Sequence, residues 1–291
     1  MLLIILLCIL WWGGTCVRIY QQGRFYQIEE YQSLRYLRWL LRSQEHLAPT
    51  RGMTMGAGGA VAGLFVGDTN TVTFLVLAIA GVAAVYPQAP GEIKKEFKRT
   101  KRANRLLGAS FAVALVLMVI VALVSSTIGN LEIALVTAYT LGLIVWWTAP
   151  LQLVLGNALM APVEANIRNG FKRQARAKLD QVQPKVIGIT GSYGKTSTKT
   201  YIAHILNGKY NAFPTPKSWN TIMGVCLAIN TRLNDDADYF ICEMGAYIPG
   251  EIQEIAALTH PSISIVTEVG PQHLERFGTL ENIAIAKYEI I

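Results

Sequence analysis

The chain has 291 residues, a net charge of +7, 52% hydrophobic residues and 15% charged ones, against roughly 25% charged in a typical soluble domain. Its basic residues gather beside apolar runs and not among aromatics in a nucleic-acid module, so no nucleic-acid partner is expected. Four cysteines (Cys8, Cys16, Cys226, Cys242) show no CxxC spacing, which excludes a disulfide framework or a zinc site as the organising feature.

Residues 1–155 read as a membrane region with about five apolar spans, at 1–17, 52–66, 72–87, 106–126 and 131–155. The clearest is Leu106 to Ser126, which has no charge and at about 1.5 Å per residue covers roughly 30 Å, a bilayer core. The run 131–155 carries only Glu132 near its start and Trp146-Trp147 later on, and aromatics suit an interface. Between 52–66 and 72–87 the turn Gly67-Asp68-Thr69-Asn70 predicts a hairpin. Of the Lys and Arg residues, 19 precede Val186 and 7 follow it. With Met1 outside, the inner loops 18–51, 88–105 and 156–185 hold six, seven and six of them and the outer turns none. This positive-inside pattern predicts a multi-pass protein of the cell (plasma) membrane with a cytoplasmic catalytic half.

Within the first inner loop, Tyr31, Leu34, Leu37 and Leu41 recur at helical spacing beside Arg35, Arg38 and Arg42. Segment 25–47 therefore reads as one helix, either interfacial and amphipathic or plainly cytoplasmic. Residues 156–184 read as a basic cytoplasmic linker.

From 185 the composition becomes that of an α/β P-loop domain with a mostly parallel sheet. Lys185 to Thr190 is a β-branched run, hence a buried strand. It leads into Thr190, Gly191, Ser192, Tyr193, Gly194, Lys195, Thr196 and Ser197 and then a helical stretch to about Leu206. Strand, glycine turn and helix make a phosphate cradle, because glycines let backbone N–H groups approach phosphate and a helix N-terminus attracts anions. Lys195 is placed to reach the β/γ-phosphates and the Thr196 hydroxyl to bind Mg²⁺, so ATP and Mg²⁺ are the expected ligands. The form is shorter than the general P-loop, since position 189 is Ile and not Gly. Further on, Glu243 ends an apolar strand from about Ala237, where α/β sheets place their sites. A second strand, Ser262 to Val266, precedes the Gly270-Pro271 turn and His273. Thr279 is positioned to cap a last helix on which Leu280, Ile283, Ala284 and Lys287 share a face.

Taken in order, Thr190-Gly-Ser-Tyr-Gly-Lys195-Thr, Lys217-Ser-Trp-Asn220-Thr-Ile-Met-Gly224, Tyr239-Phe-Ile-Cys-Glu243-Met-Gly-Ala246, Gly270-Pro-Gln-His273-Leu-Glu-Arg-Phe-Gly278 and Ala286-Lys287-Tyr-Glu-Ile290 resemble the motifs of the Mur ligase superfamily. The wording is closest to its UDP-N-acetylmuramoyl-tripeptide–D-alanyl-D-alanine ligase branch. The resemblance implies an ATP-dependent ligase of peptidoglycan precursor synthesis. It would join a muropeptide-like carboxylate to an amino acid or dipeptide amine through an acyl phosphate. It also implies that Asn220 lies beside the nucleotide, that Glu243 and His273 hold the metals with Thr196, and that Lys287 is carbamylated into an anionic metal ligand. Catalysis would then rest on Lys195, Lys287 and His273. An ammonium at position 287 would otherwise repel the metal, and Lys195 already supplies the positive charge.

Two departures accompany the resemblance. Thr267-Glu268-Val269 places a carboxylate where the branch usually has Asn, either as an added metal neighbour or as a disturbance. The chain also stops four residues after Lys287, short of the family's adenine-binding segment and C-terminal domain, so 185–291 reads as the first part of the central domain and the isolated piece is expected to be inactive. The family's N-terminal UDP-binding domain is replaced by the apolar region, which makes membrane lipid an expected partner and leaves two carriers for the carboxylate substrate, a lipid or UDP with the apolar region serving only as an anchor. The rival readings are a poly-γ-glutamate synthase-like ligase and a non-catalytic nucleotide-binding module.

Overall fold

A computed structural model of the protein describes residues 1–47, 49–65, 70–86 and 97–291. It divides into two compact units, Met1–Glu164 and Ala165–Ile291. The expected turn at 67–69 and the first part of the basic loop 88–105 lie outside the described residues.

The first unit is helical: α1 (Leu2–Ile28), α2 (Ser33–Arg42), α3 (Gln44–Leu47), α4 (Thr50–Phe65), α5 (Asn70–Val85), α6 (Lys101–Ser126), α7 (Leu131–Trp147) and the start of α8 (Ala149–Val182). Its packing is steric. Gly52, Gly56, Gly59 and Gly63 line the buried side of α4. A Cβ there would stand 2.4–2.8 Å from Trp146, Leu143, Ala80 and Leu77 respectively, so only glycine lets these helices approach so closely. Trp11 sits at the centre, its ring edge-on to Tyr139 at 5.1 Å.

Three expectations change in this unit. Segment 25–47 is not one helix: α1 runs on to Ile28, and Glu30 and Tyr31 then adopt left-handed backbone (φ 57° and 62°) before α2 begins. Its buried residues are Tyr36 and Leu40, whereas Leu34 and Leu41 are exposed. Aromatic packing decides the face, since the Tyr36 ring meets Tyr26 at 4.7 Å and its hydroxyl donates to Gln22 Oε1 at 2.9 Å. The run 131–155 is bent by 63° between α7 and α8. Pro150 lacks an N–H for the carbonyl four residues back and its ring would clash there; the buried Gln152 amide instead donates to the Val145 carbonyl at 2.7 Å. Residues 156–182 are helix rather than linker, ended by Gln183 (φ 52°) and Pro184. Among the described residues, α1 and α6 are long and apolar enough to cross a membrane by length and composition, with a third case if α7 and α8 are one bent span.

The second unit holds the rest of α8 and then β1 (Lys185–Thr190), α9 (Lys195–Leu206), β2 (Ala212–Pro214), α10 (Ile222–Arg232), β3 (Tyr239–Glu243), α11 (Glu251–Thr259), β4 (Ile263–Val266), α12 (Leu274–Phe277) and α13 (Leu280–Tyr288). The four strands form one sheet in the order β2-β3-β1-β4, all pairs parallel. β1 is central and buried beyond its first residue, as its unbroken apolar run requires. The largest core cluster packs Val225 and Ile229 of α10, Phe240 of β3, Ile252 and Ile255 of α11 and Ile283 of α13 together. Thr279 caps α13, its hydroxyl accepting from the Asn282 N–H at 3.2 Å. Of the face shared by Leu280, Ile283, Ala284 and Lys287, Ile283 and Lys287 are buried together with Ala286, while Leu280 is exposed. The carboxyl ends of β1, β3 and β4 open together at one edge of the sheet, where parallel α/β sheets hold ligands.

Candidate nucleotide and metal site

The loop from Thr190 to Lys195 is fixed from beneath. Thr190 Oγ1 donates to the Met244 carbonyl at 2.9 Å. The Ser192 hydroxyl donates to the Gly270 carbonyl (2.9 Å) and accepts from the Gly270 N–H (3.0 Å). Thr267 Oγ1 donates toward the Tyr193 carbonyl at 2.6 Å. Gly191 has φ +144°, and a Cβ there would lie 2.0 Å from Thr267 Oγ1; Gly194 has φ +81° and opens α9. Both conformations favour glycine. The first-turn N–H groups of α9 have no partner within the helix, so the loop ends in a ring of donors that fits a phosphate.

Lys195 folds over this loop, its ammonium donating to the carbonyls of Gly191 (2.7 Å) and Ser192 (3.0 Å). Burial holds it below the ordinary lysine range, against the pull of the Glu243 charge. Next to it, Thr196 Oγ1 donates to Glu243 Oε2 at 3.0 Å. Glu243 is 1% exposed. Its Oε1 accepts from Asn220 Nδ2 at 3.1 Å, its Oε2 also accepts from Lys199 Nζ at 2.8 Å, and its N–H donates to Thr215 Oγ1 at 3.1 Å. Asn220 is locked in turn: its carbonyl accepts from Gly245 N–H at 2.7 Å, and a Cβ on Gly245 would come within 2.8 Å of the Asn220 side chain. A carboxylate and a hydroxyl sharing one point are hard oxygen donors of the kind Mg²⁺ takes, so these residues fit that ion.

Among the described residues, His273 and Lys287 make no hydrogen bond to that pair, and the Lys195 charge reaches both. His273 adopts left-handed backbone (φ 58°) at the start of α12. Its ring lies edge-on to Tyr247 at 4.7 Å, and the Arg276 guanidinium covers the same Tyr247 ring at 4.4 Å. Burial, and then the Arg276 charge, lower the His273 pKa. Lys287 is 2% exposed, with its ammonium 5.9 Å from the Phe277 ring centre. Burial first and the Lys195 charge second bring it down to about 8, so a sizeable neutral fraction exists near physiological pH.

The fold thus brings Thr196, Asn220 and Glu243 into direct contact around the glycine loop, while His273 and Lys287 make their own contacts on α12 and α13. Among the described residues no three His, Cys, Asp or Glu side chains converge as a metal cluster. Ser197 and Tyr193 are exposed at the loop. Glu268 contributes its backbone, pairing with Tyr193 in an antiparallel bridge, while the residue is exposed. Lys199 and Thr215 were absent from the sequence-based set. Lys199 was discoverable in principle, because it lies three residues after Thr196 and so on the same helical face.

Residues 189–291 match the family described as "Mur ligase middle domain". Among curated relatives, the UDP-N-acetylmuramoyl-tripeptide–D-alanyl-D-alanine ligase of Bacillus subtilis is 35% identical over 121 residues, covering 42% of this chain and 26% of that protein. The ligase of the same name from Escherichia coli is 40% identical over 123 residues, 42% of this chain and 27% of its own length. Among solved structures, MurF from Acinetobacter baumannii is 31% identical with a TM-score of 0.41, covering 42% of this chain and 27% of that one. The chain therefore spans about a quarter of the length of the curated relatives it matches.

These relatives overturn the expected plasma-membrane localisation. They are named as UDP-N-acetylmuramoyl-tripeptide–D-alanyl-D-alanine ligases, and among the described residues the helices long and apolar enough to cross a membrane are two or three, not five. The relatives' names give no support to a membrane-lipid partner. Residues 189–291 thus match the Mur ligase middle domain and are similar to the corresponding quarter of these ligases.

Proposed function

We propose that this chain carries the nucleotide-binding part of an ATP-dependent amide ligase acting on a peptidoglycan precursor. The observation that carries the proposal is the Thr196–Glu243 contact beside the glycine loop, at the carboxyl ends of adjacent parallel strands. It supports a site where a phosphate-bound metal and the loop donors meet. The named activity of the relatives supports the substrate class: a UDP-linked muropeptide carboxylate and D-alanyl-D-alanine as the amine. The poly-γ-glutamate alternative gains no support from them.

In this reading the γ-phosphoryl group passes from ATP to the substrate carboxylate, releasing ADP. The amine then attacks the acyl carbon, inorganic phosphate leaves with the original carboxylate oxygen, and the amine gives up a proton. Such transfer is mostly positioning and charge neutralisation. Lys195 supplies a fixed cation at the loop and the α9 N-terminus supplies oriented donors. Thr196 and Glu243 would hold Mg²⁺, which would supply Lewis-acid neutralisation of phosphate charge. Asn220 holds the Glu243 carboxylate in place. Lys287, buried and readily neutral, suits capture of carbon dioxide as a carbamate, which turns a repelling ammonium into an anion; His273 is assigned beside it as a second metal ligand.

The test uses the intact protein with ¹⁸O in the substrate carboxylate. The expected result is one ¹⁸O in the phosphate released per amide formed. ATP turnover without label in phosphate removes the acyl-phosphate route, and absence of any nucleotide turnover removes the ligase reading.

A further inference from the structure

Lys199 has no part in the roles above, yet it is a deeply buried cation of the α/β unit, with its side chain 4% exposed. Its ammonium donates to Glu243 Oε2 at 2.8 Å and to the Lys217 carbonyl. That carbonyl belongs to a residue in left-handed backbone, Lys217 (φ 47°), a conformation that non-glycine residues rarely adopt. One ammonium therefore joins three elements: α9, the carboxyl end of β3, and the loop that carries Asn220. The same carboxylate oxygen that takes the Thr196 hydroxyl also takes Lys199.

We infer that Lys199 is a positioning residue that neutralises Glu243 while the site is empty and makes divalent-metal binding conditional on nucleotide. The inference rests on the reading of Glu243 as a metal ligand. A buried carboxylate without a partner is strongly disfavoured, and a buried pair survives only when both members are hydrogen-bonded, as these are. The pair is electrically neutral, and Lys195 adds a further positive charge beside it. A divalent ion approaching Glu243 alone meets this net positive surrounding and is repelled. Nucleotide phosphates, seated on the loop, bring enough negative charge to reverse the balance. The Thr196 hydroxyl can then turn a lone pair outward, while Lys199 keeps its hold on the Lys217 carbonyl and so keeps Asn220 in place. Lys199 thus sets the order, nucleotide before or with the metal, without touching either.

The test is Mn²⁺ binding by electron paramagnetic resonance to the intact protein, with and without a non-hydrolysable ATP analogue, alongside nucleotide affinity. Wild type is expected to bind Mn²⁺ weakly alone and at least about tenfold more tightly with the analogue. Lys199→Met is expected to bind Mn²⁺ alone at least about tenfold more tightly than wild type, with the metal–nucleotide coupling reduced by the same factor. Lys199→Arg, which keeps the charge, should restore the coupling. Should Lys199→Met not fold, Lys199→Gln retains a donor for Glu243 without the charge and should show the same gain. A folded charge-free variant whose Mn²⁺ affinity without nucleotide is unchanged or weaker overturns the inference and leaves Lys199 a structural lysine. Wild type that binds the analogue but no Mn²⁺ with it overturns the metal reading of Glu243 as well, and so separates the two failures.

Discussion

The two units differ in how fully their buried polar groups are paired: the helical unit bonds Thr15, Gln22 and Ser110 but leaves more atoms without a partner. In the α/β unit Thr190, Ser192, Lys199, Thr215 and Glu243 are buried and each is hydrogen-bonded. Among the described residues, the buried side-chain atoms without a hydrogen-bond partner lie mainly in the helical unit: Trp11 Nε1, Arg18 Nη1, Ser125 Oγ, Tyr139 OH and Gln152 Oε1, against Asn230 Oδ1 alone in the other. The helical unit is assembled by shape, with glycines of α4 meeting large side chains. The α/β unit is assembled around a polar network, in which each bond fixes another group. Chemistry needs the second kind of order, because donors must stand still where charge develops.

The sharpest way to break this comparison is to remove the cation of the loop. Lys195→Ala should lower ATP-dependent ligation by the intact protein on the order of 10³-fold, the scale of losing a preorganised charge-stabilising group. Steady-state turnover measures it, and near-wild-type kcat would take Lys195 out of the site. Next comes the backbone beneath the phosphates. Gly191→Ala places a Cβ against Thr267 Oγ1 at a φ of +144°, with strain of order 1–3 kcal/mol. Relieving it distorts the cradle, so nucleotide affinity should fall by about a hundredfold, two factors of ten at 1.4 kcal/mol each. Titration calorimetry with ATP reads this directly. An unchanged affinity would mean that the loop is far more pliable than its bonds to Thr267 and Gly270 imply.

Lys287 offers a smaller effect with a definite sign. Its folded pKa, about 8, lies below the ordinary 10.5, so the folded state resists the charged form. The penalty is fully present below pH 8, where both states are protonated. It is relieved as pH rises from about 8 to 10.5, where the unfolded chain binds more protons than the folded one. Unfolding free energy in carbonate-free buffer should therefore rise across that window by roughly 1–3 kcal/mol, and Lys287→Met should flatten the rise. With carbonate present, a carbamate on Lys287 should add a mass of one carbon dioxide after trapping. In the ligation assay Lys287→Ala should be inactive and partly rescued by a short carboxylic acid; wild-type turnover by Lys287→Ala would remove the carbamate.

Much of the α/β unit was legible because its signals are local. Val186 to Thr190 reads as a strand, Gly191 and Gly194 as turn glycines, and Thr279 as a cap, each from a few adjacent residues. Glu243 at a strand end was legible from its motif. Lys199 had only a weak signal, its place on the helical face of Thr196, because a lysine four residues after Lys195 looks solvated until β3 and the Lys217 loop close over it. In the helical unit composition marked apolar runs but not their use. The break at Thr148 had a signal in Pro150. The continuation of α8 through 156–182 did not stand out against the density of charge there, and the turn at Glu30-Tyr31 depends on aromatic packing between α1 and α2. Charge counting then carried the reading to five spans, whereas among the described residues only α1 and α6, with α7 and α8 as a bent pair, are long and apolar enough.

The smallest effects test the opening contrast most directly, by deleting one hydroxyl from each unit. Ser192→Ala removes a donor and an acceptor at once, leaving the buried Gly270 N–H and carbonyl without the side chain that serves both. An unsatisfied buried polar group costs about 1–3 kcal/mol, so this variant should destabilise the α/β unit by that amount and loosen the loop. Tyr139→Phe removes a buried hydroxyl that has no partner while the ring keeps its edge-on contact with Trp11. Nothing is left unpaired, so stability should stay within about 0.5 kcal/mol of wild type or rise slightly. Hydrogen exchange resolved by segment measures both variants in the same molecule. A Tyr139→Phe loss as large as that of Ser192→Ala would mean that the hydroxyl is bonded in solution, and that the helical unit too is held by a polar network. Equal and negligible effects would instead dissolve the contrast from the other side, by showing that the Ser192–Gly270 bonds do not hold the loop.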